Sequence, residues 1–444
     1  MYSQKIRAAL ERQKIKVGDR VLAESAGRKH EGILMPSTDF SDPKNVIIKL
    51  DSGYNIGVSF EKIKKTGSGG AIAFKPVEME KAGSGKPRVS ILGCGGTIAS
   101  RVEYTTGAVF PAFSPADLVA SFPEIKEIAS ISGRKLFDLL SEDMSPAHWQ
   151  MIAGEVAKEI RKKAKGVVLM HGTDTMHFTS AALSFMLKNL PVPVILVGAQ
   201  RSSDRGSSDN AMNLISSVIA AADSDIAEVS LCMHAKMDDD YCFLHQGTKV
   251  RKMHTSRRDA FRSINALPFA KIWHAERKME YIRKDYRKRG NPGFELDTKV
   301  NPDVCLIHSH PCIKPGFIRL LGKNYDGVVI AGTGLGHVPA NPFNDKRSVS
   351  VVPEIADLVK SGIPVVMAPQ TIYGRLNLSV YTAGRLLKEA GVIGDGCDWT
   401  PECAMVKLMH VLGHTKVMKK VEEMMLTNVA GEISERSLPE TFLV

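Results

Sequence analysis

Four short apolar segments recur along the middle of the chain, and a longer segment with helical spacing separates each from the next. The apolar segments are 89–93, 167–170, 194–197 and 229–233, and the helical ones are 145–163, 179–189 and 208–222. Strands that are apolar throughout are buried on both faces, as in parallel sheets covered by helices. The alternation therefore predicts an α/β domain with a parallel sheet and helices on both faces.

The flanking regions differ from this middle part. The apolar segments 327–330 and 363–367, each followed by a helical stretch, predict a second and smaller α/β domain. Short β-rich segments separated by Gly, Pro and Asp predict a small antiparallel barrel near the N-terminus. We expect a β-barrel-like domain at 1–63, a Gly/Ser/Lys/Pro-rich linker at 64–87, a larger α/β domain at 88–295, a smaller one at 296–415, and a C-terminal helix and tail at 416–444.

The composition narrows the classes of protein to consider. The 444 residues are 43% hydrophobic and 24% charged, which is enough material for several cores. No apolar run approaches the ~20 residues that a membrane-spanning helix needs, and the N-terminus lacks an apolar signal region. We therefore expect a cytoplasmic protein without a membrane segment. The seven cysteines form no Cys-x-x-Cys pair and predict neither a disulfide framework nor a zinc site.

The basic charge is weakly informative about partners. A formal net charge of +11 favours an anionic partner such as nucleic acid. Residues 271–289 hold eight Lys/Arg and three Asp/Glu, interleaved with Trp273, Tyr281 and Tyr286. This basic segment is either a solvated helix with one basic face or an insertion that faces RNA or a partner protein.

Two threonine motifs each follow a predicted strand. Gly-Gly-Thr-Ile-Ala at 95–99, which contains Thr97, follows the segment 89–93, and His-Gly-Thr-Asp-Thr at 171–175 follows the segment 167–170. Open α/β sheets bind ligands at the carboxyl ends of their strands. The first motif matches neither a phosphate loop nor a dinucleotide-binding loop. The hydroxyls and carboxylate of the second serve either a polar site or a helix N-cap.

Two other candidates have simpler explanations. Gly332–His337 imitates a nucleotide fingerprint, but its third Gly comes too early, so we interpret it as a tight turn after a strand. His308 and His310 have no third metal ligand at helical spacing, and we interpret them as core or surface histidines.

Five ordered motifs between residue 88 and about residue 415 resemble those of bacterial-type L-asparaginases. They are the two threonine motifs, Ser-Glu-Asp-Met at 141–144, Val-Gly-Ala-Gln-Arg at 197–201, and the segment from Gly247 to Phe261. The resemblance implies an α/β fold with a larger N-terminal and a smaller C-terminal domain. It also implies a homodimer, because sites of this family are completed across a dimer.

The resemblance assigns roles to particular residues. Thr97 would be the nucleophile, and Thr173, Asp174 and Lys252 would form a proton relay. Backbone N–H groups near Thr97 and of Ala199 would stabilise the oxyanion. Substrate would be bound by Ser141 and by Glu142, which replaces the family's Gln. No metal would be needed.

Two assignments depend on spacing within the family. Lys249 and Lys252 both compete for the role of the relay lysine, and the family spacing of nine residues before Phe261 selects Lys252. Replacement of Lys249 is then expected to have the mild effect of a surface charge change. The family's loop Tyr has no counterpart in 106–111, since Tyr104 is out of register, which predicts low activity of the isolated chain.

The N-terminal domain and the tail at 431–436 resemble additions found in the GatD family, which belongs to the archaeal-type glutamyl-tRNA(Gln) amidotransferases. This resemblance implies a glutaminase that releases ammonia from L-glutamine for use on Glu-tRNA(Gln). It implies a partner, GatE, that carries ATP and Mg, with a homodimer of this chain inside a heterotetramer, and no cofactor on this chain. The alternative is a free-standing L-asparaginase.

Overall fold

The computed structural model describes residues 2–35, 37, 42–50, 55–67, 85–95, 100–102, 109–111, 122, 124–201 and 208–443. Residues 4–67 contain one helix and an antiparallel sheet in the order β4-β3-β2-β1-β5. The helix is Gln4–Arg12, and the strands are β1 (Arg20–Ser25), β2 (Arg28–Leu34), β3 (Asn45–Lys49), β4 (Asn55–Ser59) and β5 (Lys62–Gly67). Strand β5 ends four residues beyond the predicted domain end at 63.

The small N-terminal sheet has its own core. The helix Gln4–Arg12 buries Ile6 and Leu10, which belong to the same apolar cluster as Val21 and Ile48 of the sheet. The sequence predicted β1 to β4 but not β5, most of which falls in the predicted linker at 64–87. It also did not predict the helix, whose spacing of one apolar residue per turn leaves only a narrow buried stripe.

The larger α/β domain is built on an eight-stranded sheet in the order β18-β17-β14-β13-β12-β10-β6-β9. Five strands, β9, β6, β10, β12 and β13, run parallel to one another. Beyond β13 the sheet continues with β14, β17 and β18, which pair antiparallel. These eight are β6 (Arg88–Gly93), β9 (Ser130–Lys135), β10 (Gly166–Met170), β12 (Val194–Val197), β13 (Val229–His234), β14 (Cys242–Gln246), β17 (Ala270–Trp273) and β18 (Lys278–Tyr281).

Three short pairs complete this domain. They are β7 (Ser100–Val102) with β8 (Val109–Pro111), β11 (Leu187–Lys188) with β19 (Glu295–Leu296), and β15 (Val250–Lys252) with β16 (Phe261–Ser263). The described helices are Glu124–Ile128, Pro146–Arg161, Met176–Met186 and Asn210–Asp223. Helix Asn210–Asp223 packs on one sheet face, and Pro146–Arg161 and Met176–Met186 pack on the other. The predicted parallel sheet with helices on both faces is confirmed.

The smaller C-terminal domain has a parallel sheet of β20 (Val304–His308), β21 (Gly327–Gly332) and β22 (Val365–Pro369). Its helices are Pro315–Asn324, Val352–Lys360, Thr382–Glu389, Pro401–Leu412 and Met418–Leu426. Thr400 caps the helix Pro401–Leu412 by accepting a hydrogen bond from Cys403 N at 3.2 Å. This helix joins the hydrophobic core of both α/β domains, because its buried side chains share one cluster with Met176–Met186 and with β21.

Three features predicted from sequence have a definite outcome here. Gly332–His337 is a tight turn after β21, in which His337 N donates to Thr333 O at 2.9 Å. His308 and His310 are exposed. All seven cysteines are free.

No helix among the described residues combines the length and apolar character that crossing a membrane requires.

The helical interpretation of the basic segment was wrong. Residues 270–281 form the antiparallel pair β17–β18 at the sheet edge. Its arginines are held within the protein: Arg287 pairs with Glu228 at 2.7 Å, and the Arg289 guanidinium donates to backbone carbonyls, including Ala221 O at 2.7 Å. Much of the cationic charge therefore serves to fix the edge of the sheet.

Candidate active site

Three of the sequence motifs follow adjacent parallel strands of the large sheet, β6, β10 and β12. They therefore lie along the edge that the carboxyl ends of these strands form. In the register, Met170 of β10 lies beside Gly93 of β6 and beside Val197 of β12. Thr173 therefore follows the end of the central strand, and Ala199 follows the end of its neighbour. This edge is where open α/β sheets bind ligands. Thr97 comes four residues after Gly93, outside the described residues.

A lysine from a different part of the domain reaches this edge. Lys252 Nζ donates to Thr173 Oγ1 at 2.9 Å and lies 2.8 Å from Asp174 Oδ1. Thr173 is buried, whereas 65% of the Asp174 side chain is exposed. One ammonium group thus connects a buried hydroxyl with a carboxylate that faces the solvent. A hydroxyl that contacts a lysine can pass a proton to it or accept one from it.

The short pair β15–β16 positions Lys252. Lys252 pairs with Phe261 in this antiparallel ladder, and Met253 N donates to Ala260 O at 2.7 Å. The nine-residue spacing that selects Lys252 in the sequence therefore corresponds to a ladder pair across a hairpin. On the preceding residue, Arg251 Nε donates to Glu402 Oε1 at 2.7 Å. This ion pair joins the lysine strand to the helix Pro401–Leu412.

Lys249 has a different environment, and the expectation that it resembles a surface charge was wrong. Its side chain is completely buried, and its Nζ lies 2.8 Å from Asp398 Oδ1, also completely buried. Burial lowers the pKa of Lys249, and the Asp398 carboxylate opposes that shift. Lys249 is a buried ion-pair partner and not the lysine that reaches Thr173.

Ser141 packs directly under the second threonine motif. It lies in a short 3-10 turn, Ser141–Asp143, and its Oγ accepts a hydrogen bond from Asp174 N at 3.2 Å. Thr175 Oγ1 donates to Ser141 O at 2.6 Å, so this hydroxyl holds the turn and does not cap the following helix. A Cβ on Gly172 would lie 2.6 Å from Ser141 Cβ, which explains the glycine. Ser141 is buried and Glu142 is exposed.

The turn that contains Ala199 is held by a buried carboxylate that was not predicted from the sequence. Asp209 accepts hydrogen bonds from Gln200 N at 3.0 Å and from Arg201 N at 3.0 Å. Asn213 Nδ2 donates both to Asp209 Oδ2 at 3.0 Å and to Gly198 O at 3.0 Å. Burial raises the pKa of Asp209, and these N–H donors oppose the rise. An acidic residue directly before the apolar helix Asn210–Asp223 was the available sequence signal.

His171 is a neutral structural residue beside the site. Its Nδ1 donates to Gly172 O at 2.7 Å, so its Nε2, 2.9 Å from Thr179 Oγ1, accepts from that hydroxyl. Complete burial lowers the pKa of His171 to about 4. The imidazole therefore stays uncharged at neutral pH and fixes the turn that presents Thr173.

The loop expected to lack the family's tyrosine is only partly described. Residues 106–108 and Tyr104 lie outside the described residues. Val109–Pro111 forms strand β8, which pairs with Ser100–Val102, so this part of the loop is regular.

One group of potential metal ligands lies among the described residues, away from the threonine motifs. Asp297, His410 and His414 bring their ligand atoms within 4.8 Å of one another. His414 Nε2 lies 2.8 Å from Asp297 Oδ2, and Lys188 Nζ donates to the same oxygen at 2.6 Å. The lysine ammonium already neutralises this carboxylate, so the group is explained as a hydrogen-bonded ion cluster.

Comparisons with known proteins identify the families of the domains. The family model "Asparaginase, N-terminal" matches residues 88–287, "Glutaminase/Asparaginase C-terminal domain" matches 303–425, and "GatD N-terminal domain" matches 15–66. The L-asparaginase of Thermococcus kodakarensis is similar in structure, with a TM-score of 0.69 and 31% identity over 79% of this chain and 100% of that one. L-asparaginase I of Vibrio cholerae has a TM-score of 0.66 and 29% identity, covering 79% of this chain and 99% of that one.

Curated relatives match almost the whole length. The GatD chain of the glutamyl-tRNA(Gln) amidotransferase of Pyrococcus abyssi is 50% identical over 98% of this chain and 98% of its own. The corresponding chain of Methanothermobacter thermautotrophicus is 47% identical, again over 98% of both chains. These matches include the N-terminal domain that the asparaginase models leave out. The chain therefore belongs to the GatD family of glutamyl-tRNA(Gln) amidotransferases, with the two α/β domains of the asparaginases at its centre.

Proposed function

We propose that this chain hydrolyses L-glutamine and supplies the ammonia to a partner that amidates Glu-tRNA(Gln). The observation that carries the proposal is the contact of Lys252 Nζ with both Thr173 Oγ1 and Asp174 Oδ1. An unactivated carboxamide needs a nucleophile, a base and oxyanion donors. The base relay and the Ala199 turn supply the last two at the edge of the sheet where Thr97 follows β6.

In the proposed first step, Thr97 Oγ attacks the side-chain carboxamide carbon of glutamine. Its proton passes through Thr173 Oγ1 to Lys252, which is neutral when it accepts it. The backbone N–H of Ala199 stabilises the oxyanion, and the C–N bond breaks as the relay returns the proton to the leaving nitrogen. The products are ammonia and a glutamyl ester of Thr97. Water then cleaves the ester and releases glutamate.

We assign binding of the amino and carboxylate groups of glutamine to Asp174, Ser141 and Glu142. The Asp174 carboxylate is oriented by Lys252 and is open to solvent, so it can also bind the α-ammonium group of glutamine. Ser141, whose Oγ contacts Asp174 N, would help to bind the α-carboxylate. Glu142 adds negative charge near the ammonium group.

The partner assignment follows from the family. We propose that GatE binds ATP and Mg, activates the glutamyl-tRNA and accepts the ammonia, while this chain carries no cofactor. Two copies of this chain would form a homodimer within a heterotetramer. The complex would act in the cytoplasm, where its charged tRNA is used. A free-standing L-asparaginase is less well supported, because asparaginase structures cover 79% of the chain and the family models leave out the tail beyond 425.

The test compares ammonia release for the chain alone, with GatE, and with GatE plus Glu-tRNA(Gln), on glutamine and on asparagine. We expect glutamine to be preferred and the rate to rise in the complete mixture. If the active site closes only when the acceptor Glu-tRNA(Gln) is bound, glutamine is not hydrolysed while no acceptor for the ammonia is present. Equal rates in all three mixtures, with asparagine preferred, would instead support the asparaginase alternative.

A further inference from the structure

The segment that carries the relay lysine is bonded to the C-terminal tail, which we define as residues 428–436. Gln246 Nε2 donates to Ala430 O at 3.2 Å and to Gly431 O at 2.9 Å. Thr248 Oγ1 donates to the same Ala430 O at 2.9 Å. Gln246 ends β14 and Thr248 lies in the turn before β15, so the tail contacts the connection that leads into the lysine strand.

The fit at this contact is close. Gly431 has a φ of +73°, and a Cβ there would lie 2.1 Å from Gln246 Nε2. The other end of the Gln246 amide, Oε1, accepts from Arg283 Nη1 at 2.8 Å. The amide therefore uses both of its ends, one toward the tail and one toward the sheet edge, and its orientation is determined by these partners.

A second connection runs through the buried ion pair. Lys249 Nζ is 2.8 Å from Asp398 Oδ1, and the same Oδ1 accepts a hydrogen bond from Ser434 N at 2.9 Å. Ile264 N donates to Lys249 O at 2.7 Å, which joins this residue to the end of β16. The tail is thus connected to the lysine segment both at Gln246–Thr248 and, through Asp398, at Lys249.

The tail itself is firmly anchored to the smaller domain. Glu432 is completely buried and forms an ion pair with the buried Lys407, and it accepts a hydrogen bond from Ala430 N at 2.7 Å. Lys407 Nζ also donates to Met425 O at 2.7 Å. An element held in this way can transmit its position to what it touches. Other tail residues, among them Ala430, Gly431 and Ser434, line one side of a surface cavity of about 630 Å³.

We propose that the tail is a positioning element for Lys252, which holds the Gln246–Lys249 segment so that the ammonium reaches Thr173. The inference rests on the proposed function, since it needs Lys252 to be the relay base. It also gives a role to a part of the chain that lies beyond the asparaginase C-terminal match, which ends at 425. Gln246, Thr248 and Glu432 are positioning residues and do not touch substrate.

The test uses Gln246→Glu in the complete complex. The variant keeps an oxygen for Arg283 and replaces the donors to Ala430 O and Gly431 O by an oxygen that repels them. We expect kcat for glutamine hydrolysis to fall at least tenfold, because small displacements of a catalytic group are costly, while KM changes less than twofold. Thr248→Val, which removes one hydroxyl, should reduce kcat less than Gln246→Glu does, and its KM should also change less than twofold.

Gln150→Glu is the matched control. Gln150 Nε2 donates to a backbone carbonyl, Thr298 O, at 2.8 Å, and this bond joins the helix Pro146–Arg161 to the segment after β19 and not to the lysine segment. It should leave kcat and KM per folded protein unchanged. If kcat in Gln246→Glu and Thr248→Val falls no more than in this control, the positioning role is wrong. Absence of glutaminase activity in the wild-type complex would instead refute the proposed function.

Discussion

Lys252 Nζ lies 2.9 Å from Thr173 Oγ1, although 79 residues separate the two in the chain. Thr173 follows the central parallel strand β10, and Lys252 ends the hairpin strand β15. The large sheet and the hairpin are thus both needed to build the relay. This contact distinguishes Lys252 from the nearby Lys249 and allows their functions to be separated by experiment.

Lys252→Ala should abolish most glutaminase activity and leave the fold intact. Loss of a relay base costs about 10²–10⁴ in rate. Only 10% of the Lys252 side chain is exposed, but its partner Asp174 is 65% exposed, so its removal leaves no charge buried. Steady-state ammonia release and thermal unfolding measure the two effects. A variant with more than a tenth of wild-type kcat would contradict the relay assignment.

Lys249→Met, unlike Lys252→Ala, should cause a large loss of stability. Removing one partner of a buried ion pair typically costs about 3–5 kcal/mol, because the other charge stays buried. Among the described residues, the Asp398 carboxylate would then keep Ser434 N and the more distant Arg375, whose Nη2 lies 3.8 Å from Asp398 Oδ2. Denaturant unfolding measures the effect. A free energy of unfolding within about 1 kcal/mol of the wild type would be inconsistent with the burial of this pair.

Stability should fall as the solution becomes acidic. Burial lowers the pKa of His171 and of His177 to about 4, from a value of 6.5 in the unfolded chain. Above pH 6.5 these histidines are neutral in both the folded and the unfolded chain, so the full stability is present. Between pH 6.5 and 4 the unfolded chain binds protons that the folded one does not, so each histidine costs about 2 kcal/mol at pH 5.

The histidine account is checked by replacing one of them. His171→Gln removes one titrating group, so its free energy of unfolding should change less between pH 7 and pH 5 than that of the wild type. Urea unfolding at the two pH values gives the comparison. An unchanged pH dependence in the variant would show that His171 is protonated in the folded protein too.

Asp209→Asn should impair the oxyanion turn. The change keeps the size of the side chain but replaces one acceptor oxygen by a donor, which faces Gln200 N or Asn213 Nδ2. We expect kcat to fall roughly tenfold to a hundredfold, because the Ala199 N–H is displaced, with little effect on KM. Asp395→Asn is a suitable control, since Asp395 holds a loop by accepting from Leu378 N at 2.8 Å in the smaller domain. Equal effects of the two changes would argue against a role for the Ala199 turn.

Much of this architecture was accessible from sequence because it depends on local pattern. Strands β6, β10, β12 and β13 are continuous apolar runs, and the motifs after β6, β10 and β12 necessarily meet at one sheet edge. Lys252 was identifiable because its partner Phe261 is in the same hairpin.

What sequence could not provide depends on contacts between distant residues. The burial of Lys249 requires Asp398, which is 149 residues away. The basic segment was interpreted as a helix or as an insertion that faces RNA or a partner, and the strands it forms depend on pairing with the distant β14. The support of the Ala199 turn by Asp209 likewise becomes visible only when the turn and the helix are placed together.

Thr97 is the proposed nucleophile that releases ammonia from glutamine for the partner's reaction on Glu-tRNA(Gln). The most direct measurement is formation of Gln-tRNA(Gln) by the complex with GatE when this chain carries Thr97→Ala. With glutamine as the nitrogen source the product should disappear, and with ammonium chloride it should form at the wild-type rate. Formation of Gln-tRNA(Gln) from glutamine by the variant at the wild-type rate would show that Thr97 is not the nucleophile.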